Sequence, residues 1–403
     1  MKTLLIDLGQ FNAGSLTDVT FSWHNHGLGM IATVCKKHDI DVDYKSCKDG
    51  LSEEDLKGYD IVGISMMSSD YPQAMAIIDI IKPENPNCKI VVGGIHATVD
   101  PDSLLRNDKI DFIIAGEGEI SFVEYLKSAS PQGSRIIRGK NVKNLDILPY
   151  VDRDIYSSPL EKNVDGWGES PMATMITARG CPYKCTFCQP AERNHFGSNV
   201  HRRSVADVIG EIKFLIDKYD PKYFVFYDDS FCYDIHWLNE FIKQYREIGL
   251  PFFVSARADF VCRFPDMITL LKSVGMKVIS VGFESGSDRI LRMIKKGTTV
   301  AQNYEAIKII GEANVKIFAN IMYGFPGEVK HEQFETYNMC KFISEYDSMI
   351  SPAYFTPFPG SFLGDECKRK DLSLVNENNM TRYGRDKIKG VDYDWLDSFI
   401  WRN

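Results

Sequence analysis

The chain has 403 residues, of which 44% are hydrophobic and 25% charged, and its formal net charge is −8. This length exceeds one ordinary core and predicts two domains. The composition is that of a globular protein, and the acidic balance argues against the basic stripe of nucleic-acid-binding proteins. No run approaches the roughly 18 apolar residues of a membrane span. Because Met1–Asp7 reads as a strand and not as a signal peptide, we expect a cytoplasmic protein without nucleic-acid or membrane partners.

Over residues 1–140, short apolar strands alternate with amphipathic helices. This alternation favours a parallel sheet covered on both faces, a Rossmann-like domain of the flavodoxin-like type. The predicted strands are Thr3–Leu8, Val42–Cys47, Asp60–Ser65, Lys89–Gly93, Phe112–Ala115 and Arg135–Arg138. The predicted helices are Gly29–His38, Gln73–Ile81 and Ile120–Ala129.

Ligands of such sheets bind beyond the carboxyl ends of the strands. The loops expected at this edge are rich in glycine and small residues, and glycine lets the backbone approach a ligand closely. The residues concerned are Ser65, Gly93, Gly94, His96, Gly116, Glu117 and Gly118.

Residues 141–171 accumulate Asn, Asp, Pro and Gly and are predicted to form a linker. Strands and helices then alternate again over residues 172–365, and a short extension occupies 366–403. The predicted strands are Ala173–Thr177, Tyr223–Tyr227, Phe252–Ser255, Val278–Phe283, Lys316–Tyr323 and Ser351–Thr356. The predicted helices are Val205–Lys218, Ile235–Ile248, Pro265–Val274, Val300–Ala313 and His331–Glu345. Six strands predict a partial (β/α)6 barrel of the TIM type, whose site forms at the carboxyl ends of the strands.

Three of the ten cysteines, Cys181, Cys185 and Cys188, are spaced C-x3-C-x2-C after the first of these strands. The other seven are scattered and are expected to be reduced, mostly buried thiols. A four-iron, four-sulfur cluster takes one thiolate per iron, so three thiolates leave one iron open to chelate a substrate. Zinc, the alternative, prefers paired C-x2-C elements that close on four ligands.

The cysteine triad, with Phe187 before its last member, resembles that of the radical S-adenosylmethionine superfamily, and the likeness covers about residues 172–360. It implies that the three thiolates hold the cluster and that the open iron chelates S-adenosylmethionine. An external one-electron reductant such as flavodoxin or ferredoxin would then drive formation of a 5′-deoxyadenosyl radical, which abstracts hydrogen from a small-molecule substrate. The resemblance assigns further contacts at the barrel mouth: Asp228 and Asp229 to the methionine amino group, Arg257 to its carboxylate, Ser255 to ribose, and Glu284 to ribose or substrate.

The N-terminal domain is similar to the cobalamin-binding domain of one branch of that superfamily, the class B type. The motif Asp-x-His-x-x-Gly does not occur, which fits a branch that commonly binds cobalamin without a histidine below cobalt. The resemblance implies a corrin on the Gly93–Gly94 and Gly116–Gly118 loops, with the nucleotide tail passing Ser65. His96 either contacts a corrin edge or is a hydrogen-bonded loop histidine. The other interpretation of the domain is a retained fold that holds no cofactor.

The resemblance therefore implies hydrogen abstraction from an unactivated carbon, followed by cobalamin-dependent C-methylation. One alternative keeps the radical chemistry without methylation, as in a dehydratase, epimerase or cyclase that acts on a small metabolite such as a sugar. The remote alternative is a non-catalytic iron–sulfur redox module.

Overall fold

The computed structural model describes residues 1–9, 23–128, 133–162, 168–188, 200–376, 379–380 and 384–400. Its N-terminal sheet has six parallel strands in the order β2-β1-β3-β4-β5-β6. The strands are β1 (Thr3–Asp7), β2 (Asp43–Ser46), β3 (Ile61–Ser65), β4 (Lys89–Gly93), β5 (Phe112–Ala115) and β6 (Ile136–Arg138). The order reverses between β1 and β3, and at such a switch point the loops part to form a crevice.

Helices cover both faces of this sheet, and each face has its own apolar core. The helices are α1 (His26–Lys37), α2 (Tyr71–Glu84), α3 (Ile95–Val99), α4 (Pro101–Leu105) and α5 (Glu119–Ser128). The first of them begins after Asn25, whose side-chain oxygen accepts the backbone N–H of Leu28 and so caps the helix. This cap fixes the chain where it passes the edge of the sheet.

The second sheet is also parallel, with the strand order β7-β10-β11-β12-β13-β14, and β8 and β9 form a separate antiparallel pair. The strands are β7 (Met172–Met175), β8 (Ala178–Arg179), β9 (His201–Arg202), β10 (Tyr223–Phe226), β11 (Phe252–Ala256), β12 (Met276–Glu284), β13 (Lys316–Tyr323) and β14 (Ser348–Tyr354). Six parallel strands with helices between them form the expected partial barrel.

Most helices of the barrel pack on its sheet around the largest apolar core of the described residues. The helices Asp288–Met293 and Phe362–Arg369 pack instead in a smaller cluster with Phe325 and Phe355. The barrel helices are α6 (Val205–Tyr219), α7 (Ile235–Tyr245), α8 (Ala258–Arg263), α9 (Pro265–Ser273), α10 (Asp288–Met293), α11 (Val300–Glu312), α12 (Lys330–Ile343), α13 (Phe362–Arg369) and α14 (Tyr393–Ile400). Short 3₁₀ turns occur at Cys47–Asp49, Glu54–Leu56, Ser68–Asp70, Leu145–Ile147 and Arg153–Ile155.

The sequence predicts most strands and the long helices, and it misses the shortest helices. β4, β5 and β13 have their predicted bounds, and the predicted helix that ends at Ala129 is described as far as Ser128, since Ala129 lies outside the described residues. The helices α3, α8 and α10 were not predicted, because five or six residues are too few to show a helical period.

Described residues near the C-terminal end pack on the barrel. The helix α13 runs across the predicted boundary between residues 365 and 366. Tyr393 and Leu396 of α14 are buried in the barrel core, where apolar burial stabilises the fold. None of the helices in the described ranges has the length and apolarity needed to cross a bilayer.

Candidate active site between the two sheets

A cavity of about 460 Å³ separates the carboxyl edge of the N-terminal sheet from the barrel. Its volume falls within the range of small-molecule and cofactor sites. From the N-terminal domain it is lined by six of the predicted residues, Ser65, Gly93, Gly94, Gly116, Glu117 and Gly118. From the barrel it is lined by Ile176, Arg179, Arg203, Glu211 and Tyr227. One site is therefore shared by both domains.

Two adjacent glycines shape the N-terminal wall of this cavity in different ways. Gly94 has a φ of 92°, and a Cβ there would lie 2.7 Å from the carbonyl oxygen of Met66. At Gly93 the nearest heavy atom to such a Cβ is the Ile114 carbonyl oxygen, 3.8 Å away, so the backbone is bare on the cavity side. A wall of exposed backbone fits a large flat ligand such as a corrin, which needs close approach over its whole surface.

His96 does not line the cavity. It is fully buried, with Nδ1 3.0 Å from the Ser68 hydroxyl and Nε2 3.0 Å from the Ser103 hydroxyl. Burial lowers the pKa of His96 to about 4, so the imidazole is neutral. Both ring nitrogens are used inside the domain, and the suggested contact with a corrin edge is replaced by the hydrogen-bonded alternative.

Two other histidines do line the cavity: His24, just before α1, and His26, its first residue. The ring of His24 stacks on Tyr156 with 4.0 Å between centroids, and its Nδ1 lies 3.3 Å from a carboxylate oxygen of Glu161. His26 Nε2 lies 2.9 Å from the hydroxyl of Thr174 in the first barrel strand. Burial is the main cause that lowers the pKa of His24 to about 3 and that of His26 well below its usual value, so both rings are neutral.

The three cysteines follow β8, at the mouth of the barrel. Cys181 and Cys185 are half-buried and Cys188 is exposed. The loop is held by Thr186, whose N–H donates to the Ile294 carbonyl and whose carbonyl accepts from Leu363 N–H, both at 2.8 Å. In the described part of the chain, no three Cys, His, Asp or Glu side chains are grouped closely enough for a single metal ion. Thiolates that ligate separate irons of a cluster need no such close grouping, whereas a structural zinc ion does.

Arg257, the predicted partner of the S-adenosylmethionine carboxylate, lies against this loop. Its guanidinium is 3.8 Å from the Cys185 sulfur and 3.8 Å from the ring centroid of Tyr183. It is also paired with Asp259, at 2.9 and 3.1 Å. A carboxylate ligand would therefore share this arginine with Asp259.

Asp228 and Asp229 differ in their surroundings. Asp228 is buried, and its carboxylate accepts the N–H groups of Thr177 and Ala178 at 2.6 and 3.1 Å. It thus holds the chain just before the cysteine loop, and burial raises its pKa. Asp229 is exposed, and its charge adds to burial in raising the pKa of Cys181. Of the two predicted contacts to the methionine amino group, Asp229 is the one whose side chain is exposed at the mouth.

The other predicted residues at the barrel mouth are already in contact with protein groups. Ser255 donates to the Asp228 carbonyl and accepts from Phe231 N–H, both at 2.9 Å. Glu284, with a φ of 63°, lies 2.8 Å from Lys296 Nζ in a buried ion pair. Phe187 meets Phe325 edge to face at 6.1 Å. Lys296 was not predicted as a partner of Glu284, because a lysine pair in a loop is more often solvated.

Sequence reasoning also missed the link between the two domains. Arg179, two residues before Cys181, places its guanidinium 2.9 Å from Glu117 and 2.6 Å from Glu119. Glu117 accepts in addition the N–H of Val142 in the linker, at 2.5 Å. The glycine loop after β5 and the cysteine loop are thus joined through one arginine. No spacing rule connects segments 60 residues apart.

Comparisons with known proteins agree with this geometry. The family described as B12 binding domain matches residues 14–126, and the radical SAM superfamily matches residues 175–340. The chain therefore carries a B12-binding domain followed by a radical SAM domain, and it is an enzyme of the radical SAM superfamily. The cofactors that these two domains imply are cobalamin, a four-iron, four-sulfur cluster and S-adenosylmethionine.

Among curated proteins, the chain is similar to an uncharacterized methyltransferase of Pyrococcus horikoshii, with 28% identity over 87% of this chain and 79% of the relative. It is also 28% identical to the anaerobic magnesium-protoporphyrin IX monomethyl ester cyclase of Rubrivivax gelatinosus, over 79% of this chain and 60% of the cyclase.

Two solved structures share the fold. The cobalamin-dependent S-adenosylmethionine radical enzyme OxsB aligns with a TM-score of 0.74 and 17% identity, over 96% of this chain and 64% of that one. The radical S-adenosylmethionine methyltransferase TsrM of Kitasatospora setae aligns with a TM-score of 0.69 and 15% identity, over 93% of this chain and 76% of that one. At these identities the likeness concerns the arrangement of the two domains.

Proposed function

We propose that the protein is a cobalamin-dependent C-methyltransferase that acts on an unactivated carbon of a small molecule. The observation that carries this proposal is the single cavity bounded by the bare glycine edge of one sheet and the mouth of the other. Methyl transfer to a carbon radical requires the methyl donor and the hydrogen abstractor to reach the same substrate. A cavity whose one wall would carry the corrin meets this requirement if its opposite wall lies beside the cluster, and Arg179 of that wall is two residues before Cys181.

Residues of the N-terminal domain and residues of the barrel have different roles in this proposal. Cys181, Cys185 and Cys188 hold the cluster, and Arg257 and Asp229 orient the amino-acid part of S-adenosylmethionine. When bound, the cluster supplies the electron that generates the adenosyl radical, and the corrin supplies the methyl carrier. The glycine loops exclude water from the corrin face, and Arg179 keeps the two sites in register through its ion pairs with the loop after β5.

The names of relatives support methyl transfer. Besides the Pyrococcus horikoshii relative, a cytidylyl-2-hydroxyethylphosphonate methyltransferase of Streptomyces wedmorensis is 24% identical over 85% of this chain and 78% of that protein. These relatives have dissimilar names, so the substrate of this chain does not follow from them.

The test needs no substrate. The protein is purified anaerobically with added hydroxocobalamin, its cluster is reconstituted, and it is incubated with S-adenosylmethionine and a strong reductant. We expect a retained corrin spectrum and S-adenosylhomocysteine in an amount that matches the bound corrin. A protein that retains no corrin under these conditions would contradict the methyltransferase proposal and leave only the radical chemistry.

A second candidate, radical chemistry without methyl transfer, is favoured by the similarity to the Rubrivivax gelatinosus cyclase. The chain spans 60% of that cyclase, so its activity is not carried over as a whole. In this case 5′-deoxyadenosine would form with substrate while S-adenosylhomocysteine would not. Mass spectrometry of the two nucleosides distinguishes the candidates.

We further propose that residues 1–140 bind cobalamin, 141–171 connect the domains, 172–365 bind the cluster and S-adenosylmethionine, and 366–403 form a C-terminal extension. All ten cysteines are free thiols, which fits a reducing compartment such as the cytoplasm. The cluster would receive its electron from an external one-electron reductant.

A further inference from the structure

His26 is the first residue of α1, and its side chain lines the cavity between the two domains. The helix follows β1, which lies at the point where the strand order of the N-terminal sheet reverses and where a ligand is expected. The reaction proposed above makes no use of this histidine. The partners of its two ring nitrogens show what it can bind, because one nitrogen of a neutral imidazole donates and the other accepts.

The Nε2 atom of His26 is held by the barrel. It lies 2.9 Å from the hydroxyl of Thr174 in β7. That hydroxyl donates its only proton to a carboxylate oxygen of Glu161, also at 2.9 Å. Thr174 therefore accepts from His26, and Nε2 carries the ring proton. In metal sites, a ligating histidine almost always donates its other ring N–H to a polar acceptor, which fixes the tautomer and the orientation of the ring.

The Nδ1 atom of His26 is consequently a bare electron-pair donor. In the described part of the chain it accepts no hydrogen bond, and it is not one of the buried atoms that lack a partner. It is therefore accessible from the cavity that His26 lines. Burial of the ring is the main cause that lowers the pKa of His26 well below its usual value, so the lone pair of Nδ1 is not protonated.

His24, the other histidine beside this helix start, is less suited to hold a ligand. Its side chain is buried, and its ring is stacked on Tyr156. Its Nδ1 lies 3.3 Å from Glu161 but makes no hydrogen bond there, so no partner of that atom fixes the tautomer. Of these two histidines, His26 is the one whose bare nitrogen is defined by its partners.

We propose that Nδ1 of His26 is the axial ligand that the protein supplies to the cobalt of bound cobalamin. The inference rests on the binding of cobalamin to the N-terminal domain and not on methyl transfer. An imidazole nitrogen is a good ligand of first-row transition metals. This assignment departs from the resemblance described above, in which the missing Asp-x-His-x-x-Gly motif implies a cobalt without a histidine below it. A motif describes local spacing, whereas His26 is oriented by Thr174 of the other domain.

The ligation step needs no proton and no electron. Nδ1 donates its lone pair to cobalt, one coordination bond forms, and the water that occupied this position leaves. The oxidation state of cobalt does not change. Because Nε2 already carries the ring proton, the histidine does not have to change its tautomer. The chain of hydrogen bonds through Thr174 to Glu161 also makes the imidazole a stronger donor.

The test is the EPR spectrum of the bound corrin, which requires neither substrate nor turnover. The protein is produced with ¹⁵N-labelled histidine, purified anaerobically with added hydroxocobalamin, and reconstituted with its cluster. Ascorbate then reduces the cobalt to its paramagnetic divalent state and leaves the cluster oxidised. A histidine nitrogen on cobalt splits the cobalt lines into doublets in the labelled protein and into triplets in the unlabelled protein. The benzimidazole of cobalamin is unlabelled and would give triplets in both.

We expect doublets in the labelled wild type and their loss in His26→Gln. The glutamine amide can still donate to Thr174, so the fold and the iron–sulfur absorbance should be retained. The matched control is His24→Phe, which keeps an aromatic ring to stack on Tyr156 and should keep the doublets. In His26→Gly, added unlabelled imidazole should restore the splitting as triplets, because it can occupy the space of the missing side chain.

A labelled wild type that binds corrin without doublets overturns the proposal. Triplets in both samples overturn it as well, because the base of the cofactor itself is then on cobalt. Doublets that persist in His26→Gln would assign the ligand to another histidine. Loss of the doublets in both His26→Gln and His24→Phe, without rescue by imidazole, would mean that the substitutions act through the position of the loop.

The same samples separate this proposal from the proposed function. A protein that retains no corrin overturns both. Bound corrin with doublets but without S-adenosylhomocysteine overturns methyl transfer alone, and S-adenosylhomocysteine without doublets overturns the assignment of His26 alone.

Discussion

The two sheets face one another across the same cavity, but they are prepared for their ligands in opposite ways. The barrel mouth presents charged side chains that are already held by partners, such as Arg257 by Asp259 and Glu284 by Lys296. The N-terminal edge presents bare backbone at Gly93, whereas Gly94 packs against the backbone of Met66. A small zwitterion is selected by a few oriented charges, whereas a large flat ring is selected by shape. Four predictions test this difference, ordered from the largest expected effect to the smallest.

Removal of one cluster thiolate has the largest expected effect. Cys185→Ala leaves two of the three predicted iron ligands, so we expect loss of the iron–sulfur absorbance and of all reductive cleavage of S-adenosylmethionine. Corrin binding on the opposite sheet should remain. Absorbance spectra of anaerobically reconstituted protein measure both cofactors in one sample.

Cys262→Ala is the control, since this partly buried cysteine lies on α8 away from the triad. It should keep the cluster. Cleavage activity in Cys185→Ala would show that the triad is not the cluster site.

Substitution of Arg179, which links the N-terminal domain to the cysteine loop, has the largest expected effect on stability. Arg179→Gln leaves Glu117 and Glu119, both largely buried, without their cation. Breaking a buried ion pair in this way costs about 3 kcal/mol or more. We expect a lower urea midpoint, and weaker retention of corrin and cluster together.

Arg203→Gln serves for comparison, since Arg203 forms similar buried pairs with Asp207 and Glu211, but within the barrel domain. It should lower stability without the joint loss of both cofactors. An Arg179→Gln variant that loses neither cofactor would show that the link between the domains is only structural.

Alanine substitutions at Gly93 and Gly94, in the N-terminal wall of the cavity, separate effects on folding from effects on corrin binding. Gly94→Ala places Cβ 2.7 Å from the Met66 carbonyl at a positive φ, which should cost about 2 kcal/mol of folding free energy. Gly93→Ala meets nothing closer than 3.8 Å, so its effect on folding should stay within about 0.5 kcal/mol.

Corrin affinity should nevertheless fall about tenfold in Gly93→Ala, equivalent to about 1.4 kcal/mol, because the methyl group occupies the ligand side of the wall. Urea denaturation and corrin titration measure the two effects separately. Unchanged corrin affinity in Gly93→Ala would place the ring elsewhere in the cavity.

The buried His96 gives the smallest effect, a dependence of stability on pH. Its pKa of about 4 in the folded protein lies below the ordinary 6.5, so the unfolded chain binds the proton first as the pH falls. The contribution is fully present above pH 6.5 and is lost between pH 6.5 and about 4, at up to about 1.4 kcal/mol per pH unit.

In His96→Asn this slope should be absent, although the variant is less stable at neutral pH. The measurement is the difference in urea stability between wild type and variant at pH 7.5, 6.5 and 5.5, which cancels the contributions of other groups. A difference that does not change with pH would mean that the pKa of His96 is the same in the folded and the unfolded protein.

The site shows which residues sequence reasoning can place. The cysteine triad and the glycine loops could be predicted because local spacing and composition are enough to recognise them. The partners of Asp228 and His96 could not be predicted, because each is a polar residue beside a strand end whose partners, Thr177 and Ser68, come from other segments. Burial decides whether such a side chain faces a ligand or the protein, and burial cannot be read from spacing.

Hydrophobic periodicity and the C-x3-C-x2-C spacing thus determine two parallel sheets and a cluster loop, because a strand, a helix and a chelating loop each depend on neighbours within a few residues. Only the tertiary structure decides that the two carboxyl edges share one cavity and that Arg179 joins them. Those features depend on contacts between segments tens of residues apart, where packing and the loss of solvent, rather than local sequence, set the partners.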